Sequence, residues 1–470
     1  MKKLSLLLAL LLLGLTACQS GTPTDTTDSI DTSTSNTSAE NEPSVSFAEA
    51  NYNGYEFRII RKHLGYSCYN YEYQAPEEQT AELLNDAVYA RNMSAEEKYN
   101  IEIKEILADN YQDTIRNSIL AGDNDFDVSL IRSEHVTGVL QPGMFLDFNE
   151  IPNLNLDQPW WDQNARENFS VNGKLYSMTS DMSIMHYETA IILFYNQKLA
   201  EDNKLPDLYQ LVRDGKWTID KYAELTANIK SDLNGDTKYD ANDLWPLAGW
   251  YDVTMPQWFI GGGVNYVEKD DNGELVLAAA APEFETVYTK VVEALKDAKV
   301  FGSELNAENL LMFNSDQLLF FSGCVGEAKE FRDMPSDFGV IPAPKLDAAQ
   351  ENYCTYTNYP MVIMVPSTAP DKERTGAILE WLSYKGSEEV IPKFYETMIQ
   401  TKYLRDEESV EMMDEYIASN LIYNIGCDMI SKVLRSISRL KDDNSSITTF
   451  MASVKTSIEN EIQKYSALFE

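Results

Sequence analysis

Two features of the sequence predict an α/β fold divided between two domains. Early in the globular body, apolar segments of strand period alternate with segments of helix period, an order that implies a parallel sheet with covering helices. The body then runs for about 420 residues, more than one hydrophobic core comfortably organises, so two domains are expected.

The elements follow in order. Glu56–Ile60 is a short strand. Glu77–Tyr99 is helical, with Leu84, Val88 and Arg91 on one face and Pro76 just before it. Ile101–Ile106 alternates as a half-buried strand. Tyr111–Ala121 is a helix closed by Gly122, and Phe126–Ile131 is a buried strand. Ala190–Tyr195 is a further apolar strand. Thr218 caps a helix carrying Tyr222, Leu225 and Ile229. Glu283–Lys299 places Phe284, Val287, Tyr288, Val291 and Leu295 at helical spacing. Phe338–Ile341 and Met361–Val365 read as buried strands, Thr375–Ser383 as helix, and the chain from Glu407 onward as mainly helical. No internal repeat is visible.

Ahead of the body, Lys2-Lys3 and the apolar run Leu4–Leu13 lead into Leu15-Thr16-Ala17-Cys18. A charged start, a short apolar stretch and a small residue before the cut form a secretory signal, too short to span a bilayer. Cysteine at the cleavage position makes it a lipoprotein signal. Residues 1–17 are then the signal peptide, and Cys18 carries a diacylglyceryl group whose two chains suffice for stable anchoring. Residues 18–46 are nearly all Thr, Ser, Asp, Asn, Glu, Gly and Pro, which cannot bury enough apolar surface to fold, and read as a flexible linker. The expected location is the outer face of the cell membrane.

The formal net charge of −37 argues against nucleic acid, which demands basic patches. It also disfavours strongly anionic ligands unless a local arginine overrides the global field, because screening confines charge effects to about 10 Å. After Cys18 four cysteines remain, Cys68, Cys324, Cys354 and Cys427, without a CxxC. They allow three pairings, and mostly free thiols are expected. His63, His135 and His186 form no close metal spacing, and neither a GxSxG elbow nor a phosphate loop occurs. No motif supports an enzyme.

One motif points to a cation. Asp232, Asn234, Asp236, Asp240 and Asp243 stand at positions 1, 3, 5, 9 and 12 of an EF-hand-like loop, and Lys238 would offer its carbonyl at position 7. Thr237 occupies the turn position where glycine is normal, and position 12 is Asp rather than Glu. Structural calcium is the expected occupant.

Several ordered stretches give a family resemblance: Phe126-Asp-Val-Ser-Leu-Ile131, Gly143-Met-Phe-Leu-Asp-Phe148, Val171-Asn-Gly-Lys-Leu-Tyr176, Ala190-Ile-Ile-Leu-Phe-Tyr-Asn196, Trp217-Thr-Ile-Asp220, Phe338-Gly-Val-Ile-Pro-Ala-Pro344 and Trp381-Leu-Ser. In order and spacing the body resembles the extracellular solute-binding lipoproteins of ABC importers, of the group-one, maltose-binding-like class. The resemblance implies a two-lobed periplasmic-binding-protein-like (type II) fold with a ligand cleft between lobes. Residues 47–180 with 342–390 form lobe 1, and 181–341 with 391–470 form lobe 2. It implies a monomer that captures a sugar or oligosaccharide by lobe closure and delivers it to the transmembrane subunits of an ABC permease.

Ligands of open α/β sheets sit beyond the carboxyl ends of strands. The candidate contacts are therefore Arg132, Ser133 and Glu134 after one strand, Ser180 and Asp181 at the first crossover, Trp250, Tyr251 and Trp258 in one loop-rich stretch, and Tyr356. Aromatic faces suit sugar rings, while arginine and carboxylates suit hydroxyls. Arg132 pairing with Glu134, and Trp160-Trp161 as packing, are the plainer readings of those residues. Two rivals remain: the same fold holding a peptide, amino acid or polyamine, and a cell-surface glycan-acting lipoprotein enzyme. A sensor reporting to a membrane kinase would need the same cleft.

Overall fold

The computed structural model describes residues 46–62, 76–301, 306–400, 403–440 and 446–470. Cys18, the signal and most of the linker, His63 and Cys68 lie outside the described residues. Residues 47–470 make one compact unit.

Two main sheets organise this unit. The first contains β1 (Tyr55–Arg61), β2 (Ile101–Leu107) and β3 (Val128–Arg132). In the second, β4 (Ile191–Asn196) and β5 (Trp245–Trp250) come first in the chain. A small hairpin follows, β6 (Glu268–Lys269) and β7 (Leu275–Val276), and then β8 (Lys299–Phe301), β9 (Leu318–Cys324) and β10 (Phe338–Ile341) complete the second sheet. The chain continues through β11 (Thr355–Thr357), returns to the first sheet as β12 (Met361–Met364), and ends its strands with β13 (Leu421–Tyr423).

The first sheet has the order β12-β3-β1-β2, with β1 parallel to both neighbours and β12 antiparallel to β3. The second has the order β10-β4-β9-β5-β8. There β5 runs parallel to β8 and β9, while β4 runs antiparallel to β9 and β10. Both sheets are thus mixed rather than wholly parallel: strands that arrive from the other sheet enter in the opposite sense. Every residue of β3, β4, β9, β10 and β12 is buried, as strands covered on both faces must be. Phe194, Phe313, Phe331 and Phe338 pack edge-on around the second sheet.

Local chemistry sets the helix limits. The first helix runs Leu83–Tyr99, shorter than expected, because the Glu82 carboxylate caps the N–H groups of Leu84 and Asn85. Its buried Arg91 donates to the Met182 carbonyl, tying this helix to the first crossover. Thr218 caps Ile219–Thr226 through the Lys221 N–H as expected. The helix foreseen to Lys299 spans Pro282–Ala294, because Lys299–Phe301 is taken up as β8 alongside β5. The stretch expected to be loop-rich is β5 followed directly by a helix, Tyr251–Gly261, with Pro256 inside it. Both elements are buried nearly all round, so their apolar residues carry no period. Cys324 corrects the expectation of mostly free thiols: it is disulfide-bonded, while Cys354 and Cys427 are free. Wide sequence spacing does not reveal which sulfurs approach in space.

Three stretches run side by side between the sheets. Ala190 bridges Thr357, the Asn358 N–H donates to the Thr189 carbonyl at 2.9 Å, and β11 pairs in parallel with β13. Met178 and Ile363 exchange both backbone bonds, at 3.1 and 2.7 Å.

The helix Lys372–Lys385 lies close against the first lobe because two glycines permit it. A Cβ at Gly376 would fall 1.9 Å from the Pro152 carbonyl oxygen, and one at Gly386 1.9 Å from that of Asp181. Both obstacles are backbone, so neither can swing aside. Gly386→Ala is expected to destabilise the protein by roughly 1–3 kcal/mol, measured by urea unfolding. A loss below about 0.5 kcal/mol, the range of an ordinary surface substitution, would show that this approach is not required.

Candidate ligand cleft

The ends of β3, β5 and β9 define the candidate site. β3 runs out through Arg132 into a tight turn, Ser133–His135, whose Ser133 N–H is held by the Pro360 carbonyl at 2.9 Å. From the second lobe come Trp250 at the end of β5 and Cys324 at the end of β9. A late segment, formed by the turns Gly426–Ile430 and Lys432–Arg439, packs against both the Ser133–His135 turn and the helix Tyr251–Gly261. It is therefore shared by the two lobes.

Trp250 and Tyr356 belong to a small apolar cluster separate from the main core, with Ile191, Val253, Ile260, Cys324, Cys354 and Ile422. These residues come from β4, the helix after β5, β9 and the two paired crossing strands, so the cluster sits where the lobes meet. The Trp250 indole N–H is buried and has no hydrogen-bond partner among the described residues, and the same holds for the Ser133 hydroxyl. The Tyr356 hydroxyl donates toward Asn358 Oδ1 at 3.0 Å and Asp428 Oδ1 at 3.2 Å. Burial pushes the Asp428 carboxyl well up from its ordinary value, against the pull of the Tyr356 bond.

Arg132 pairs with Glu134 at 3.0 Å and stacks over Tyr359, 5.0 Å from the ring centroid. Arg435 stacks over the same ring at 4.3 Å and pairs with Asp428 at 3.1 Å. His135 Nδ1 lies 2.6 Å from the Tyr111 hydroxyl, and burial lowers its pKa. Arg132, Ser133, Glu134, Trp250 and Tyr356 thus converge with Tyr359, Asp428 and Arg435. The sequence reading placed Tyr359 before β12 without assigning it a contact, and missed Asp428 and Arg435. One signal was available: Lys432, Arg435 and Arg439 form a basic stripe in a strongly acidic chain.

The other candidates have different surroundings. Trp258 is fully buried in the core, edge-on to Tyr222 at 4.6 Å. Tyr251 opens the helix after β5 and belongs to the main core. Ser180 accepts from the Ser383 hydroxyl at 2.8 Å, and Asp181 accepts from the Tyr187 hydroxyl at 3.2 Å, behind Gly386. This is a second polar group at the crossover. His186 Nε2 comes within 4.0 Å of Asp181, yet burial holds both neutral near pH 7. Burial raises the Asp181 carboxyl to about 8, helped by Asp162 and opposed by the Tyr187 bond, and lowers His186 to about 4.

The acidic loop closes on itself. Ser231 and Leu244 bridge its ends. Asp232 accepts from the N–H groups of Gly235 and Thr237, Asp236 from Lys238, Asp240 from Asn242, and buried Asp243 from Leu233 and Asp240. Asn234 accepts from Asp236. Among the described residues, no three carboxylate, imidazole or thiol side chains converge as a metal-ligand group. Thr237 has φ 67°, the left-handed conformation that glycine supplies at that position of a calcium loop.

Two α/β lobes, crossing strands and strand ends facing a shared segment define a two-lobed binding protein. The sequence matches the model of the bacterial extracellular solute-binding protein family over residues 75–389, and the chain belongs to that family. Solved structures agree in fold. The cyclic α-maltosyl-1,6-maltose binding protein of Arthrobacter globiformis superposes with TM-score 0.58 at 13% identity, covering 87% of this chain and 100% of that one. An ABC substrate-binding protein of Listeria monocytogenes in complex with cycloalternan gives 0.51 at 14%, covering 88% and 99%. UgpB of Mycobacterium tuberculosis in complex with glycerophosphocholine gives 0.54 at 12%, covering 88% and 99%. No curated protein matches the chain by sequence.

The neutral Asp181 gives a pH signature. An acid whose folded pKa is raised binds protons that the unfolded chain has lost, so stability falls as pH rises between the two values, here from about 4 to about 8. His186 works in the opposite sense between about 4 and its ordinary value near 6.5. Above that point the Asp181 effect stands alone. The Tm is expected to fall between about pH 6.5 and 8, and Asp181→Asn is expected to flatten that fall in a pH series of thermal melts. An equal fall in the variant would assign it to another group.

Proposed function

We propose that this chain is a lipid-anchored extracellular receptor that captures a sugar or oligosaccharide by closing two lobes on it. It hands the sugar to the transmembrane subunits of an ABC permease and performs no chemistry on it. The supporting observation is the cleft itself: Trp250, Tyr356 and Tyr359 supply aromatic surface, and Arg132, Ser133 and the Trp250 indole N–H supply donors for hydroxyls. Two of the structurally similar proteins are described with cyclic glucans, and a third with glycerophosphocholine. The lobes are residues 47–180 with 342–390 and 181–341 with 391–470, and the anchor is the lipid on Cys18. Closure requires the ligand to bind the closed form more tightly than the open one, since only differential affinity shifts the population.

The test is a thermal-shift panel of the full chain with oligosaccharides, amino acids and polyamines, followed by small-angle scattering with any hit. A sugar at a hundred times its Kd is expected to add about 2.7 kcal/mol of stability, reduce the radius of gyration and be recovered unchanged. A polyamine or amino-acid hit would replace the sugar assignment. Hydrolysis of the sugar would move the reading to a glycan-acting enzyme.

We propose further that the loop 232–243 takes one calcium ion as a brace, through Asp232, Asn234, Asp236, the Lys238 carbonyl, Asp240 and Asp243. The left-handed Thr237 supports this reading. Calcium is expected to raise the Tm reversibly over an EGTA-treated sample, Asp232→Asn to abolish the rise, and Thr237→Gly to preserve it. Identical melts with calcium and EGTA would remove the brace.

A further inference from the structure

The charge balance at the ends of β3 and in the late segment is the reverse of that of the whole chain. Overall, 75 acidic residues outnumber 38 Lys and Arg. At the cleft, Arg132 and Arg435 flank Tyr359, and Lys62 and Lys432 act electrostatically on His135 beside them. Arg439 lies at the rim, 3.4 Å from Asp252. Against these five cations stand three carboxylates, Glu134, Asp252 and Asp428.

The two guanidinium groups are built into place. Both side chains are largely buried, 11% exposed for Arg132 and 18% for Arg435. Tyr359, the spacer between them, is held at φ 54°, a conformation rare for a bulky residue and one that collects at functional sites. Arg435 Nε donates to the Cys427 carbonyl at 3.3 Å and Nη2 to Asp428, while Nη1 has no partner among the described residues. Beside them the Ser133 and Ser431 hydroxyls and the Asn424 amide N–H, each on a residue at most 3% exposed, have no partner among the described residues. All three can donate. Partly buried arginine forks with hydroxyl and amide donors match carboxylate oxygens, and a positive surplus out of water is unfavourable until an anion offsets it.

Resting on the sugar-capture reading, we propose that the captured sugar is acidic, a uronate-containing oligosaccharide, and that Arg132 and Arg435, spaced by the Tyr359 ring, receive its carboxylate groups. The Tyr359 ring and Trp250 then serve the sugar face. A polyamine would meet guanidinium groups instead of free carboxylates. The global charge of −37 does not oppose this, because screening limits distant carboxylates while the nearest charges are cationic.

The test is calorimetric titration of the full chain with trigalacturonate, triguluronate, their methyl esters, maltotriose and xylotriose. One uronate is expected to bind, weakening as salt is added, with its methyl ester about tenfold weaker or worse. Arg435→Gln is expected to weaken the uronate at least about tenfold while leaving the ligand-free melt in place, and Arg435→Lys, which keeps charge but loses the fork, to recover part of the loss. Should Arg435→Gln fail to fold, Tyr359→Ala carries the same expectation. Binding of a neutral trisaccharide in preference to the uronates would overturn the acidic class and leave sugar capture standing. Binding of a uronate with unchanged affinity in the Arg435 and Tyr359 variants would overturn the clamp. Silence from every sugar would overturn both readings together.

Discussion

The pairing of backbone between the two sheets is the constraint on which the rest of the molecule depends. Each sheet draws its strands from distant parts of the chain, so the polypeptide must cross from one to the other more than once. Crossing backbone cannot be left unpaired when it is buried. Thr189-Ala190, Thr357-Asn358 and Leu421–Tyr423 solve this by hydrogen bonding to one another. Such a ribbon is narrow, which suits bending between lobes, and it carries Tyr356 and Ile422 into the small apolar cluster. The same requirement brings the late segment back between β3 and the helix after β5.

Burial at this junction decides the protonation of the polar groups that it traps. Asp181 and His186 sit close enough to form an ion pair, yet desolvation keeps the acid protonated and the base neutral. Arg91 and Arg435 retain their charge under similar burial because guanidinium is hard to deprotonate and carbonyl oxygens are at hand. The crossover thus carries neutral polar groups on one side and a concentration of arginine on the other.

Much of the fold was readable because it rests on local pattern. The alternation in Ile101–Leu107, the Thr218 cap, the Gly122 stop and the apolar runs at Phe338 and Met361 each express a periodicity or a backbone preference that a short window contains. Legibility failed where burial is complete. The run Trp245–Gly261 is apolar on every side, so it has no period, and a strand followed by a helix was taken for a loop-rich stretch. β9 passed unnoticed for the same reason. At the site, Arg132, Ser133 and Glu134 were found because they directly follow a recognisable strand. Trp258 was misjudged because an aromatic residue looks alike in sequence whether it lines a cleft or fills a core.

What the sequence determined by itself is everything set by neighbours along the chain: the α/β class, the strand ends where a ligand would sit, the acidic charge, the calcium-loop spacing and the resemblance to a solute-binding family. Tertiary structure alone decided which distant groups meet. It placed Arg435 against the same ring as Arg132, put Asp181 beside His186 rather than beside the arginines, and set Cys324 in a disulfide. The reason is physical. Hydrophobic period and capping act over a few residues, whereas ring stacking, desolvation and disulfide geometry depend on distances that only the folded chain sets.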